Sequence, residues 1–293
     1  MDRIKITVCQ KNPLSHNDFF YFLWSFMKEE SSIYKPDFLI FPEYYLTDVI
    51  DGERPFTNPY LHAAAIVAKK YECYIILGSI KEKFNNKWYN TTFIIGPGGE
   101  LITRYRKQRP WRSEKVNPGN VTGIFETKFG KIGILICYDG DQENHDLMLK
   151  LLAEKPRFVF IPIDMAIPSY YDTKDLKLGI WKTAIKNVSK RFFPLACKYD
   201  VTFIRADYAY QNREHDDETE QIHIHYGASI IIKPYQMLPA PTWYDCCYST
   251  FVEEKMYKSE VANYAVDLND DTSLDEYYSF IDDLDPTKKI FKG

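Results

Sequence analysis

The sequence carries no excess of positive charge: 37 Lys and Arg stand against 41 Asp and Glu, for a net charge of −4. Without an overall basic field, a nucleic-acid partner is not expected. Long apolar runs are also missing, and no stretch approaches the roughly 18 residues of a membrane-spanning helix. Met1-Asp2-Arg3-Ile4-Lys5-Ile6 places charges where a signal peptide would need an apolar centre. No membrane partner and a cytoplasmic location are therefore expected. Cysteine is sparse and scattered (Cys9, Cys73, Cys137, Cys197, Cys246, Cys247), with no CxxC pair of the metal-binding kind, which suits a reducing compartment. Cys246-Cys247 reads as packing, because a disulfide between neighbours is strained. His223 and His225 share a strand face but have no evident third ligand, so a metal site is not expected. Gly96-Pro97-Gly98-Gly99 lacks the GxGxxG spacing of a phosphate cradle and reads as a turn. With no repeat and no low-complexity linker, one domain over 1–272 and a tail over 273–293 is the simplest division.

What is present is ordinary globular material: 45% hydrophobic and 27% charged residues over 293 positions, enough to bury a sizeable core. Strand-like runs alternate with helical stripes. Ile4–Cys9 alternates with period two, and Phe19, Phe22, Leu23, Phe26 and Met27 form one helical stripe. Phe38–Phe41 is apolar throughout, as in a strand covered on both faces. A second stripe (Leu61, Ala64, Ala65, Ala68) precedes strands at Tyr74–Gly78, Trp88–Ile95 and Glu100–Tyr105. A hairpin about Gly130 then leads to Cys137. Helices over Glu143–Glu154 and Asp175–Lys198, the latter ended or kinked at Pro194, flank strands at Phe158–Ile163 and Val201–Arg205. Residues 207–225 read as an exposed acidic insertion, and further strands are expected at Ala228–Ile232 and Tyr264–Leu268. The pattern predicts a mixed-sheet α/β fold with helices outside.

Three runs end on chemically active side chains: Phe41-Pro42-Glu43, Tyr105-Arg106-Lys107 and Ile134-Leu135-Ile136-Cys137. Taken singly, each has an ordinary reading: a polar residue after proline, a solvated basic edge, a buried small thiol. Together they place a carboxylate, an amine and a thiol at strand ends, on what could be one rim of a sheet. A carboxylate can take the thiol proton, and an ammonium can hold the oxyanion formed when a thiolate attacks a carbonyl.

These blocks resemble the three catalytic segments of the nitrilase superfamily of carbon–nitrogen hydrolases, in order and at similar separations. Pro118-Gly119-Asn120, Glu114 and Tyr226-Gly227-Ala228-Ser229 extend the resemblance, as does the closing strand Ala262–Leu268. It implies a four-layer αββα sandwich of mixed sheets with helices on the outer faces, commonly paired into a homodimer, and no metal or organic cofactor. It further implies Cys137 as nucleophile, Glu43 as general base, Lys107 as oxyanion stabiliser and Glu114 as a second glutamate positioning the amide or water. The backbone N–H of Tyr138 would assist Lys107.

Departures fall in segments that shape the pocket. Asp141-Gln142-Glu143 stands where an aromatic-Pro-Glu is usual, Leu195–Asp200 replaces Arg-Ala-x-Glu-Asn, and Ile163–Ala166 lacks the usual Trp or Asn. They bear on specificity more than on chemistry. The expected activity is a cysteine-dependent amidohydrolase cleaving a linear amide or carbamoyl C–N bond. Nitrile hydrolysis, acyl transfer and a catalytically idle assembly protein remain open. Arg109, Arg112 or Arg205 could meet an acidic substrate, and the acidic stretch 214–220 a cationic one.

Overall fold

A computed structural model describes residues 4–30, 35–168, 174–209, 211–213, 223–225, 227–234, 236–239 and 246–252. In chain order its elements begin with β1 (Ile4–Gln10), α1 (His16–Glu30), β2 (Phe38–Ile40), β3 (Val49–Asp51), α2 (Pro59–Tyr71), β4 (Tyr74–Ile76), β5 (Ile80–Phe84), β6 (Lys87–Ile95) and β7 (Leu101–Arg106). There follow β8 (Ile124–Thr127), β9 (Gly130–Ile134), α3 (His145–Ala153), β10 (Phe158–Pro162), β11 (Ala166–Pro168) and α4 (Lys174–Tyr199). The last are β12 (Thr202–Ala206), β13 (Gln211–Arg213), β14 (His223–His225), β15 (Ile230–Lys233), β16 (Gln236–Pro239) and β17 (Cys246–Val252).

Two mixed sheets result. One runs β17-β1-β2-β4-β6-β5-β3 with β7 hydrogen-bonded to β6, the other β16-β15-β12-β10-β9-β8, and a small third sheet joins β11, β14 and β13. The unbroken apolar runs of β1, β2 and β4 are explained by layers on both faces. Alternate residues Ile4, Ile6, Val8, Phe38, Ile40 and Ile76 belong to the core shared with the second sheet. Phe38 sends its ring against Phe158 and Phe160 across the gap. The intervening residues Cys9, Leu39, Ile75, Phe93 and Ile95 pack outward onto Phe19, Leu23 and Met27 of α1 and Leu61, Ala64 and Val67 of α2. On the far side α3 and α4 cover the second sheet through Leu151, Trp181, Ile185 and Phe192. This is the αββα sandwich that the motif blocks imply.

Several expectations change in detail. α4 passes through Pro194 instead of ending there. Proline removes one helical hydrogen bond, and the neighbouring Phe192, Phe193 and Ala196, all buried, hold the turn in place. Strands β3 and β5 were not legible: β3 is three residues long with its apolar Val49 exposed, and the exposed Lys81 and Lys83 dilute the pattern of β5. The segment read as an exposed insertion is buried at both ends: Asp207, Tyr208, Ala209 and His225 are almost fully covered. Its acidic residues, 214–220, lie outside the described residues, as do the strand expected at 264–268 and the tail. Among the described residues no helix is long and apolar enough to cross a membrane.

Candidate active site

Glu43, Lys107 and Cys137, far apart in sequence, meet where β2, β7 and β9 come to an end. Glu43 follows Pro42 and donates its N–H to the Ile163 carbonyl of the opposite sheet at 3.1 Å. Gly78, at φ +57°, lets the chain pass so close to Pro42 that a Cβ there would sit 1.8 Å from the Pro42 oxygen. Lys107 is held by its own N–H on the Asn90 carbonyl (2.8 Å) and by the Gly119 N–H on its carbonyl (2.8 Å). A Cβ on Gly119 would lie 2.2 Å from the Arg106 oxygen, which explains the Pro118-Gly119 pair sterically.

Cys137 opens a 3-10 turn, Cys137–Gly140, with φ +44°. A left-handed conformation at a non-glycine residue is strained, and such strain concentrates at functional sites. Asp139, two residues on, holds the turn: its carboxylate accepts from the Tyr105 hydroxyl (2.7 Å) and from the N–H groups of Gln108 (3.0 Å) and Arg109 (2.7 Å). It also accepts the Ile136 N–H at 3.3 Å. One buried carboxylate thus ties the turn carrying the thiol to the strand end carrying the amine. Burial raises its pKa to about 6, against the lowering effect of those donors. Asp139→Asn would turn an amide N–H toward donors, so we expect a stability loss on the order of 2–3 kcal/mol. Turnover should fall more than substrate affinity, as steady-state kinetics beside thermal melts can measure. Unchanged melting and kcat would deny Asp139 this positioning role.

Around the amine the charges are close and dry. Lys107 Nζ donates to Glu43 Oε1 at 2.8 Å and to Glu114 Oε2 at 2.7 Å. Asn90 Nδ2 bridges the same two carboxylates at 2.7 and 2.8 Å. Glu114 further accepts the Tyr44 hydroxyl at 2.7 Å and the Trp111 N–H. Burial drives Glu43 up to about 7 despite Lys107, and the Glu114 charge pushes the same way. Burial also disfavours ionised Glu114, yet Lys107, Tyr44 and Trp111 together hold it below its usual range. Lys107 stays protonated: burial works against its charge, but Glu43, Cys137 and Glu114 outweigh it. The Cys137 thiol hydrogen-bonds to Glu43, and burial followed by the Glu43 charge keeps it a thiol at neutral pH.

Thus all four side chains proposed from the sequence are brought together. Tyr138 lines the same cleft, of about 1400 Å³, with Trp111, Asp164, Arg191 and Arg205. Arg109 instead pairs with Asp146 at the surface, at 3.4 Å. Sequence reading missed Asn90 and Tyr44, and gave Asp139 no role. A lone amide within a buried strand was the available signal for Asn90. His225 is not presented as a ligand: it lies against Tyr208 and within 3.3 Å of Asp164.

Among similar proteins, omega-amidase NIT2 of Xenopus tropicalis is 36% identical over 110 residues, 34% of this chain and 37% of that relative. Omega-amidase NIT2 of Danio rerio is 39% identical over 83 residues, 25% of this chain and 30% of that one. The matched stretches therefore span about a third of these relatives' length. Among solved structures, Saccharomyces cerevisiae Nit3, of the nitrilase superfamily, superposes with a TM-score of 0.64 at 18% identity, over 92% of this chain and 96% of Nit3. The carbon-nitrogen hydrolase from Helicobacter pylori gives 0.70 at 14% identity, over 86% and 90%. Both share the fold. The carbon-nitrogen hydrolase profile matches residues 5–154, just over half of the chain and the part that holds Glu43, Lys107, Glu114 and Cys137, and the chain belongs to that family.

Proposed function

We propose that this protein is a cysteine-dependent amidohydrolase that cleaves a linear, non-peptide C–N bond of a small amide or carbamoyl compound and releases ammonia. The observation that carries the reading is the meeting of Cys137, Glu43, Glu114 and Lys107 in one cleft, with the Lys107 ammonium donating to both carboxylates, where burial pushes Glu43 up to about 7 while Lys107, Tyr44 and Trp111 hold Glu114 down. Environments that drive paired acids apart assign their roles. Glu43 is the group that exchanges protons, and Glu114 anchors Lys107.

In the proposed cycle Glu43 takes the proton from the thiol and the Cys137 sulfur attacks the carbonyl carbon. Lys107 has three N–H donors; two point at Glu43 and Glu114, leaving the third for the oxyanion, with the Tyr138 N–H as a second donor. Each such donor contributes about 3 kcal/mol to the transition state. Glu43 then protonates the leaving nitrogen, ammonia departs, and the tetrahedral centre collapses to a thioester. Water, deprotonated by Glu43, cleaves the thioester and restores the thiol, so one amide and one water give one acid and one ammonia. The omega-amidase name of the relatives in Xenopus and Danio favours amide over nitrile. A free nucleophilic thiol is consistent with a reducing, cytoplasmic setting. We further propose a carbon–nitrogen hydrolase domain over 1–272, a tail over 273–293 and a homodimer or higher homo-oligomer, the last to be checked by light scattering.

The test is ammonia release over aliphatic amides, ureido acids and carbamoyl-polyamines, with nitriles in parallel. Release from nitriles alone would refute the amidase reading. The pH profile is a second check. The base must be ionised in the free enzyme, so kcat/KM should rise with pH through about 7, not through the ordinary glutamate range. The same shift sets a stability trend. Because the folded pKa lies above the unfolded one, the Glu43 contribution is fully present below the ordinary glutamate pKa and is lost as pH rises through about 7. An ascending limb near pH 4.5 would contradict the assignment.

A further inference from the structure

One buried acid has no part in the proposed cycle. Asp207, at the exit of β12, is 1% exposed. Burial, the largest influence, pushes its pKa up to about 8, so near neutral pH it is mostly the uncharged acid. Its Oδ2 is buried with no hydrogen-bond partner among the described residues. Its Oδ1 accepts the Tyr208 N–H at 2.9 Å and the Met165 N–H at 3.2 Å. Burying such a group costs free energy that an apolar side chain would not. Tyr208 is only the next residue along the chain, so the contact across to Met165 is the one that needs a reason.

Met165 lies just past β10, next to the peptide on which the catalytic groups converge. The Ile163 carbonyl accepts the Glu43 N–H at 3.1 Å, and the Asp164 N–H donates to the Cys137 sulfur. That carbonyl and that N–H belong to one planar peptide, so a single rigid unit lies between base and nucleophile. Two consecutive residues, Ala206 at the end of β12 and Asp207 beyond it, hold the unit on either side. The Ile163 N–H donates to the Ala206 carbonyl at 2.7 Å, and the Met165 N–H donates to Asp207. Asp207 is itself clasped: Ser229 Oγ accepts its N–H at 2.8 Å and donates to its carbonyl at 3.3 Å. The Ser229 N–H in turn donates to Gln10 Oε1, on β1 of the other sheet, at 3.2 Å. Ser229, singled out in the sequence but absent from the chemistry, thereby anchors the clasp to both sheets.

We propose that Asp207 is a positioning residue for the nucleophile: through the Met165 N–H it fixes the peptide between Ile163 and Asp164, so that the Asp164 N–H meets the Cys137 sulfur and steadies the thiolate. This rests on the reading of Cys137 as nucleophile and deepens it. A hydrogen bond to a charged acceptor is about twice as strong as one between neutral groups, so this N–H gives more to the thiolate than to the thiol. Burial and then the Glu43 charge raise the Cys137 pKa, and the Lys107 charge and this N–H work against them. A peptide held on one side only can turn about its flanking bonds. Its N–H would then leave the sulfur, and its carbonyl would leave the Glu43 N–H.

The test follows alkylation of Cys137 by iodoacetamide against pH, read by mass spectrometry of the Cys137 peptide, in wild type and variants. Asp207→Asn keeps an oxygen for the Met165 N–H in a side chain of the same shape, and should react within about twofold of wild type. Asp207→Leu has the same branching, with methyl groups for oxygens. Its rate at neutral pH should fall roughly tenfold, the size of one hydrogen bond to a charged group, with the ascending limb displaced to higher pH. Ser229→Ala, a gentler change, releases the Asp207 backbone and should lower the rate in the same direction. On any amide turned over, kcat should follow the alkylation rate while KM changes little. A purely structural Asp207 would leave the pH limb in place. A folded Asp207→Leu with wild-type alkylation would overturn the proposal, as would an Asp207→Asn as slow as Asp207→Leu. Unchanged thiol reactivity in Ser229→Ala would also overturn it, and that variant decides even where Asp207→Leu does not fold. Alkylation needs no substrate, so an Asp207-dependent thiol in an enzyme releasing no ammonia from any amide would support the positioning role and refute the amidase reading.

Discussion

Cys137→Ala is expected to reduce ammonia release by roughly 10⁵- to 10⁶-fold, the scale on which covalent catalysts fail when the nucleophile is removed. The protein should still fold. Cys137 is only partly buried, and the change removes one sulfur atom facing a cleft, so its stability cost should stay near 1 kcal/mol. Wild-type enzyme quenched during turnover should carry the acyl group on the peptide containing Cys137, detectable by mass spectrometry, and Cys137→Ala should carry none. Wild-type-like rates in the variant would remove the thiol from the mechanism, and with it the role assigned to Glu43.

Much of this site was legible because its members sit where the chain must change course. Glu43, Lys107 and Cys137 each end a run that buries itself between layers, so their side chains emerge at the rim by geometry. The steric duty of Gly119 likewise shows in sequence as Pro118-Gly119. Asn90 was hidden for the opposite reason. It lies inside β6, where its amide is used only because Glu43 and Glu114 approach it from other segments. No local pattern encodes that meeting. Asp139 was visible as part of the nucleophile block, but three of its four donors come from Tyr105, Gln108 and Arg109, a stretch that only the fold brings beside it. Local rules left Pro194 as either an end or a kink of the helix, and took the flanks of 214–222 for exposed chain. In both places tertiary burial overrides local preference.

Lys107→Met should injure the protein twice, and the two injuries can be separated. Lys107 is 2% exposed between two carboxylates, and breaking such a buried arrangement by removing one partner costs on the order of 3–5 kcal/mol. The cost should depend on pH. Lys107 lowers the pKa of Glu43, so without it Glu43 rises further above its unfolded value. Stability then falls over a wider range as pH increases, and the variant should lose least near pH 5 and most above pH 8. Turnover should drop a further 10²- to 10³-fold even where the protein remains folded, because the donor aimed at the oxyanion is gone. Adding Glu114→Gln to Lys107→Met removes one of the stranded charges. It should recover a good part of the melting temperature while leaving kcat where the single variant put it. Recovery of both together would mean that Lys107 acts only as a structural counter-ion. A single variant with wild-type melting and turnover would remove the buried ammonium from fold and mechanism alike.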